Sequence, residues 1–130
     1  MTDAATPLTA DAVEHYLRFW NTDPSEQRRV GSEIFTEDVT SVTPIGVMSG
    51  IEALIGFTEQ FTANVGTYAF RARTEPDVHH DRARLQWEIR VGEESFAEGT
   101  DVLTIVGDGR IVSVTGFLDR APDGFDPARH

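Results

Sequence analysis

The segment AEGTDVLTI, Ala97 to Ile105, holds a carboxylate on the side of a β-strand that should be apolar. Strand side chains alternate between faces, so Asp101 shares one with Ala97, Gly99, Leu103 and Ile105. Glu98, Thr100, Val102 and Thr104 take the other face. An ionised group on an apolar face is costly unless something pairs with it. Lining a cavity, such a carboxyl becomes a proton carrier, because burial raises its pKa toward neutrality.

Other residues offer less chemistry. His79-His80-Asp81 supplies metal-ligand types in a row, but neighbours in an extended chain point opposite ways and no third ligand pattern lies nearby. Loop polarity is the reading, and no metal site is expected. His15, beside Glu14 and Arg18, reads as a solvated helix face. Gly107-Asp108-Gly109 reads as a hairpin turn, because a phosphate loop needs a strand-to-helix context. With no lysine and no cysteine, Schiff-base and thiolate chemistry are excluded.

The elements that must position Asp101 follow from periodicity. LTADAVEHYLRFWN has Val13, Tyr16, Leu17 and Trp20 at helical spacing, with Thr9 or Asp11 as cap. DPSE predicts a second, short helix with Asp23 at the N-cap, Pro24 at the first position and Glu26 closing a capping box. VTSVT reads as a short strand that Pro44 and the Gly46/Gly50 region interrupt. GIEALIGFTEQFTAN restores the helical period up to Asn64. Four strands follow, TYAFRART, ARLQWEIRV, SFAEGTDVLTIVG and RIVSVTGFLD, joined by PDVHHD, GEES and GDG.

This order predicts one α+β domain over residues 9–119, with a flexible start at 1–8 and a loose tail at 120–130. The 130 residues suffice for a single core. Twenty-two acidic against 11 basic residues, a net charge of −11, argue against nucleic acid and anionic membrane as partners. No secretory signal or membrane-length apolar run is visible, so a cytoplasmic location is expected. Both alternating sets of DVLTIVG and RIVSVTGFL contain apolar residues, which predicts a homodimer through the outer sheet face.

HYLRFWNTDPSEQRRVGSEIFTEDVTSVTPIGVMSGIEALIGF resembles the opening of the SnoaL-like and ketosteroid-isomerase-like proteins of the nuclear-transport-factor-2-like superfamily. The matching punctuation is Phe35-x-x-Asp38-Val39, Pro44-x-Gly46 and Gly50-x-x-Ala53-Leu54, and GDGRIVSVTGFLD resembles the family's last hairpin. The resemblance implies a cone-shaped α+β barrel: three N-terminal helices packed on a strongly curved, mostly antiparallel sheet around a blind apolar pocket. Its steroid isomerases use a base Asp and an oxyanion hole made by a helix Tyr and a sheet Asp. Tyr16 matches that Tyr and Asp101 that Asp.

The base position holds Thr43, and Thr58 stands where a second Tyr is sometimes found. A threonine cannot take a carbon-bound proton at neutral pH without strong activation, so authentic steroid isomerisation is not expected. Trp20, Phe57 and Phe61 from the helices are expected to line the pocket. From the sheet, Trp87 and Leu103, then Val114, Gly116 and Leu118, complete the walls. The implied function is a cofactor-independent isomerase or cyclase acting on an apolar, carbonyl-containing, steroid- or polyketide-like ligand through an enol(ate). The alternative is a ligand-binding or dimerisation module of the same fold that has lost its base. An epoxide-hydrolase arrangement would need Asp119 and an inward Arg beside Asp101, and Arg82, Arg84 and Arg90 fall on the face opposite Trp87.

Overall fold

The computed structural model describes residues 7–122, and the apolar spacing of Val13, Tyr16 and Trp20 is met there by helix α1 (Pro7–Trp20). This helix begins at Pro7, ahead of the expected Thr9 or Asp11 cap. Most of the expected flexible start at 1–8 and loose tail at 120–130 lies outside the described residues. Pro7 and Leu8 belong to α1, and Arg120 ends the last strand. Asn21 then pins the helix end to the sheet. Its amide donates to Phe70 O (2.7 Å) and accepts from Phe70 N (2.9 Å).

Helix α2 (Pro24–Ile34) starts with Pro24 in the first turn and Asp23 at the N-cap. The expected side-chain cap does not form: the Asp23 carboxylate accepts from the Ser25 hydroxyl, and Glu26 pairs with Arg29 instead. Gly31 lets α2 pack closely, since a Cβ there would lie 3.1 Å from the Phe19 ring and 3.0 Å from Ile51 Cγ2. Buried Gln27 donates to Phe19 O (3.2 Å) and accepts from Thr58 Oγ1 (2.8 Å). Thr58 thereby ties α2 to α3 (Ile51–Val65), one residue longer than expected and ended by Gly66, whose N–H donates to Thr62 O.

The sheet has seven strands: β1 (Phe35–Thr43), β2 (Gly46–Ser49), β3 (Ala69–Ala72), β4 (Asp77–His79), β5 (Arg82–Val91), β6 (Glu94–Ile105) and β7 (Ile111–Arg120). Two of them fall where loops were expected, β2 in the Gly46/Gly50 region and β4 within PDVHHD. Both are short edge pieces whose pairing partner, not their own sequence, makes them strands. The order is β2-β1-β7-β6-β5-β3, with β4 also on β5. Every pair is antiparallel except β1 with β7.

Register shifts interrupt the β1/β7, β5/β6 and β6/β7 pairings, and such irregularities bend strands. The result is the expected three helices on a curved, mostly antiparallel sheet, and the sheet stays unclosed. Phe19, Phe35, Leu54, Leu85, Leu103 and Ile111 fill the core between the layers. Among the described residues no helix is long and apolar enough to cross a membrane.

Candidate functional site

Asp101 sits in the middle of β6, paired with Leu85 on β5 and Gly116 on β7. The glycine is what leaves room for the carboxylate, because a Cβ on Gly116 would come within 2.8 Å of Asp101 Oδ1. Helix α1 crosses this part of the sheet and brings Tyr16 over it. The Tyr16 hydroxyl donates to Asp101 Oδ2 at 2.5 Å, and the two residues are 2% and 6% exposed. Trp20, Phe35 and Phe70 meet the Tyr16 ring edge-on or nearly so at 5.9–6.2 Å, which fixes its orientation.

Burial raises the Asp101 pKa from 3.8 to about 6, against the Tyr16 hydrogen bond and the indole of Trp87, which both favour the ionised form. Burial first, and then the neighbouring Asp101, holds the Tyr16 pKa well above the ordinary tyrosine range, so Tyr16 keeps its proton. The indole N–H groups of Trp20 and Trp87 are buried without a hydrogen-bond partner of good geometry. The Trp87 indole favours the ionised form of Asp101 and the Trp20 indole that of Tyr16, each by less than burial opposes it. The pair works in series. Tyr16 is committed to Oδ2, while Oδ1 makes no hydrogen bond among the described residues.

Asp101 lies in the wall of a cavity of about 500 Å³. Of the residues expected to line it, Tyr16, Trp20, Thr43, Phe57 and Phe61 do so, as do Trp87, Gly116 and Leu118. Three do not. Leu103 and Val114 lie one cross-strand row further in, fully enclosed in the core, and Thr58 turns its hydroxyl to Gln27 and Ile55 O. Alternation identified their face correctly, but how far the helices cover that face is a tertiary matter. Leu85 is core for the same reason.

The cavity also meets residues that the pattern reading missed: Ser41, Met48, Asn64, Tyr68, Phe70 and Phe96. Ser41 had a signal, since it alternates with Thr43. Asn64 falls at i+7 from Phe57 along α3. Phe70 and Phe96 carried only their aromatic character.

Thr43 occupies the expected base position with its hydroxyl turned away. Its Oγ1 accepts from Ile45 N (3.2 Å) and donates to Gly46 O (3.3 Å) within the turn, and its methyl group faces Gly116. Asp119 does not line the cavity; it accepts from Arg73 (2.5 Å) and Thr100 (2.8 Å). Arg82 pairs with Asp81 and Arg84 with Asp77, both exposed. Asp101 is thus the sole carboxylate among the described lining residues, and no Arg or His joins it. No group of three or more His, Asp or Glu side chains converges among the described residues.

Three helices on a curved, open sheet, with an apolar cavity between them, define a cone-shaped protein of the nuclear-transport-factor-2-like class. Within that class the chain belongs to the SnoaL-like domain family, whose profile matches residues 13–114. It is similar in structure to a candidate isomerase of the SnoaL-like family from Agrobacterium tumefaciens. That pair shares 27% identity and a TM-score of 0.80 over 88% of this chain and 99% of the other. A nuclear-transport-factor-2-like protein of unknown function from Cytophaga hutchinsonii has 17% identity and a TM-score of 0.66, covering 92% and 95%. A candidate polyketide cyclase from Sinorhizobium meliloti has 19% identity and a TM-score of 0.63, covering 82% and 93%. These last two show the shared fold. No curated protein matches the sequence.

Proposed function

We propose that the protein is a cofactor-independent isomerase or cyclase acting on a neutral, apolar, carbonyl-bearing small molecule through an enol(ate). The observation that carries this reading is the Tyr16–Asp101 pair, buried in the wall of a largely aromatic cavity. A carboxyl with a pKa near 6 is mostly ionised at pH 7 yet basic enough to accept a proton from carbon next to a carbonyl. Oδ1 takes that proton as the C–H electron pair moves into the enolate. The same oxygen returns the proton to the original carbon or to a conjugated one, and in the second case a double bond has moved. Tyr16 holds the carboxylate in position throughout and supports its charged form.

The reaction can be read without knowing the natural substrate. Apolar cyclic ketones incubated with the protein in D2O are expected to gain deuterium beside the carbonyl, followed by NMR. The rate should climb about tenfold per pH below 6 and level off above it, as the ionised base accumulates. A rate that falls with pH through 6 would instead make Asp101 a proton donor to the carbonyl oxygen. Binding without exchange at any pH would leave the second reading, a ligand-binding module. That reading is favoured by Thr43, which offers the cavity a methyl group where a base was expected.

The same proposal includes a homodimer through the outer sheet face. Val42 and Val47 are cross-strand partners on β1 and β2, 45% and 66% exposed, with Phe117 on the neighbouring β7. Sedimentation equilibrium at micromolar concentration should return twice the 14.4 kDa chain mass, and Val47→Glu should shift it toward one. A wild-type mass of one chain would remove the dimer.

A further inference from the structure

Ser41 is a polar residue in the cavity that nothing in the protein satisfies. β1 contains four hydroxyl side chains. Thr36 donates to Asp38 Oδ1, Thr40 to Asp38 O and Thr43 to Gly46 O. Ser41 is 3% exposed and lines the cavity, yet its hydroxyl has no hydrogen-bond partner among the described residues. Its oxygen is not sealed in the core, where an unbonded hydroxyl would be costly, but keeps accessible surface on the cavity side. It faces the space where a ligand would sit.

Its position sets a distance. Ser41 pairs with Val114, which pairs with Leu103, whereas Asp101 pairs with Gly116. Ser41 therefore lies two strands across the sheet and one same-face step along it from Asp101. With strands about 4.8 Å apart and about 3.3 Å per residue, the two positions are on the order of 10 Å apart. No charged side chain other than Asp101 lines the intervening wall among the described residues, and Trp87, Phe57 and Phe61 make it aromatic.

We infer that Ser41 is a ligand contact, and that the ligand is a neutral molecule with two oxygens on the order of 10 Å apart, one the carbonyl whose neighbouring C–H meets Asp101 and the other bonded to Ser41. The inference rests on the reading of Asp101 as the base that acts beside the carbonyl. A serine hydroxyl both donates and accepts, so the second oxygen is a hydroxyl or a carbonyl. Such a residue fixes which way round a ligand enters, and therefore which of its carbons is presented to Asp101.

Three small probes separate the two ends: 4-(4-hydroxyphenyl)cyclohexanone with both oxygens, 4-phenylcyclohexanone with the ketone alone, and 4-cyclohexylphenol with the hydroxyl alone. Dissociation constants are measured by calorimetry for the wild type, Ser41→Ala and Asp101→Asn. The wild type is expected to bind the hydroxyketone about tenfold more tightly than 4-phenylcyclohexanone. In Ser41→Ala that preference should fall to within about twofold, with thermal stability close to wild type because the hydroxyl faces the cavity and bonds nothing among the described residues. Equal affinity of the two ketones for the wild type, or a preference that survives Ser41→Ala, would overturn the assignment. Should Asp101→Asn leave deuterium exchange into the two ketones in D2O untouched, the reading of Asp101 as the base falls. Ser41 is then judged alone by whether 4-cyclohexylphenol binds Ser41→Ala more weakly than wild type.

Discussion

Asp101→Asn is expected to abolish deuterium exchange into bound ketones and, at the same time, to stabilise the fold at pH 8. Raising the carboxyl pKa from 3.8 to about 6 makes the ionised form about 3 kcal/mol less favourable in the folded protein than in the unfolded chain. The stability associated with neutral Asp101 is fully present below pH ~4 and is lost as the pH rises through about 6. Asparagine stays neutral throughout, and its carbonyl oxygen can accept from Tyr16 as Oδ2 does.

The amide must be desolvated too, so the net gain at pH 8 should be about 1–3 kcal/mol. Urea unfolding of both proteins at pH 4, 6 and 8 isolates this one group, because every other titration is common to the pair. The difference should be small at pH 4, grow toward pH 6 and then level off. A difference that stays flat from pH 4 to 8 would mean that the carboxyl is not held in a raised-pKa environment, and the proton-carrier role would go with it. A residue that weakens the fold in its working charge state is what a stability–activity trade-off predicts at a functional position.

Gly99→Ala is the second change with a large expected effect. Gly99 pairs with Trp87 across β5 and β6. A Cβ there would stand 2.2 Å from Trp87 Cζ2 and 2.5 Å from the backbone oxygen of Phe117. Phe117 pairs with Thr100 in regular register, one step before the irregularity at Glu98/Gly99, so its carbonyl is fixed by the sheet and cannot simply turn aside. Trp87 is packed against Phe70, ring centroids 5.3 Å apart, so it can move only toward the cavity.

Overpacking of this kind costs about 3 kcal/mol, which corresponds to roughly 10 °C in Tm for a domain of this size. The displaced indole would also remove volume from the ligand space. Trp87→Phe added to Gly99→Ala should recover part of the loss, giving a coupling energy above about 1 kcal/mol in a double-mutant cycle. If Gly99→Ala unfolds within about 0.5 kcal/mol of wild type, the close seat of Trp87 on Gly99 is not real.

Arg73 makes that seat rigid from outside the cavity. Its Nε donates to Trp87 O (2.9 Å) and its Nη2 to Gly99 O (3.0 Å), the same guanidinium also meeting Asp119. One arginine thus holds the two backbones whose side chains, or lack of one, shape the wall beside Asp101. Nothing in TYAFRART distinguishes this Arg from its neighbour Arg71, which pairs with Glu88. The difference is which carbonyls lie within reach once β3 has paired with β5.

The chain's own pattern determined what depends on local periodicity. The helix that carries Tyr16, the strand face that carries Asp101, and the turn chemistry around Pro44, Gly46 and Gly107–Gly109 were all legible. A 3.6- or 2-residue period is imposed by the backbone and written directly into side-chain order. Tertiary structure alone decided what depends on how far one layer covers another. It placed Leu103, Val114 and Thr58 in the core while leaving Ser41, Phe70 and Phe96 at the cavity. It also turned the Thr43 hydroxyl into its own turn and set Tyr16 on Oδ2 so that Oδ1 stayed open. Alternation says which face a side chain takes; only the angle and depth at which α1 and α3 lie on a bent sheet say whether that face meets protein or a ligand.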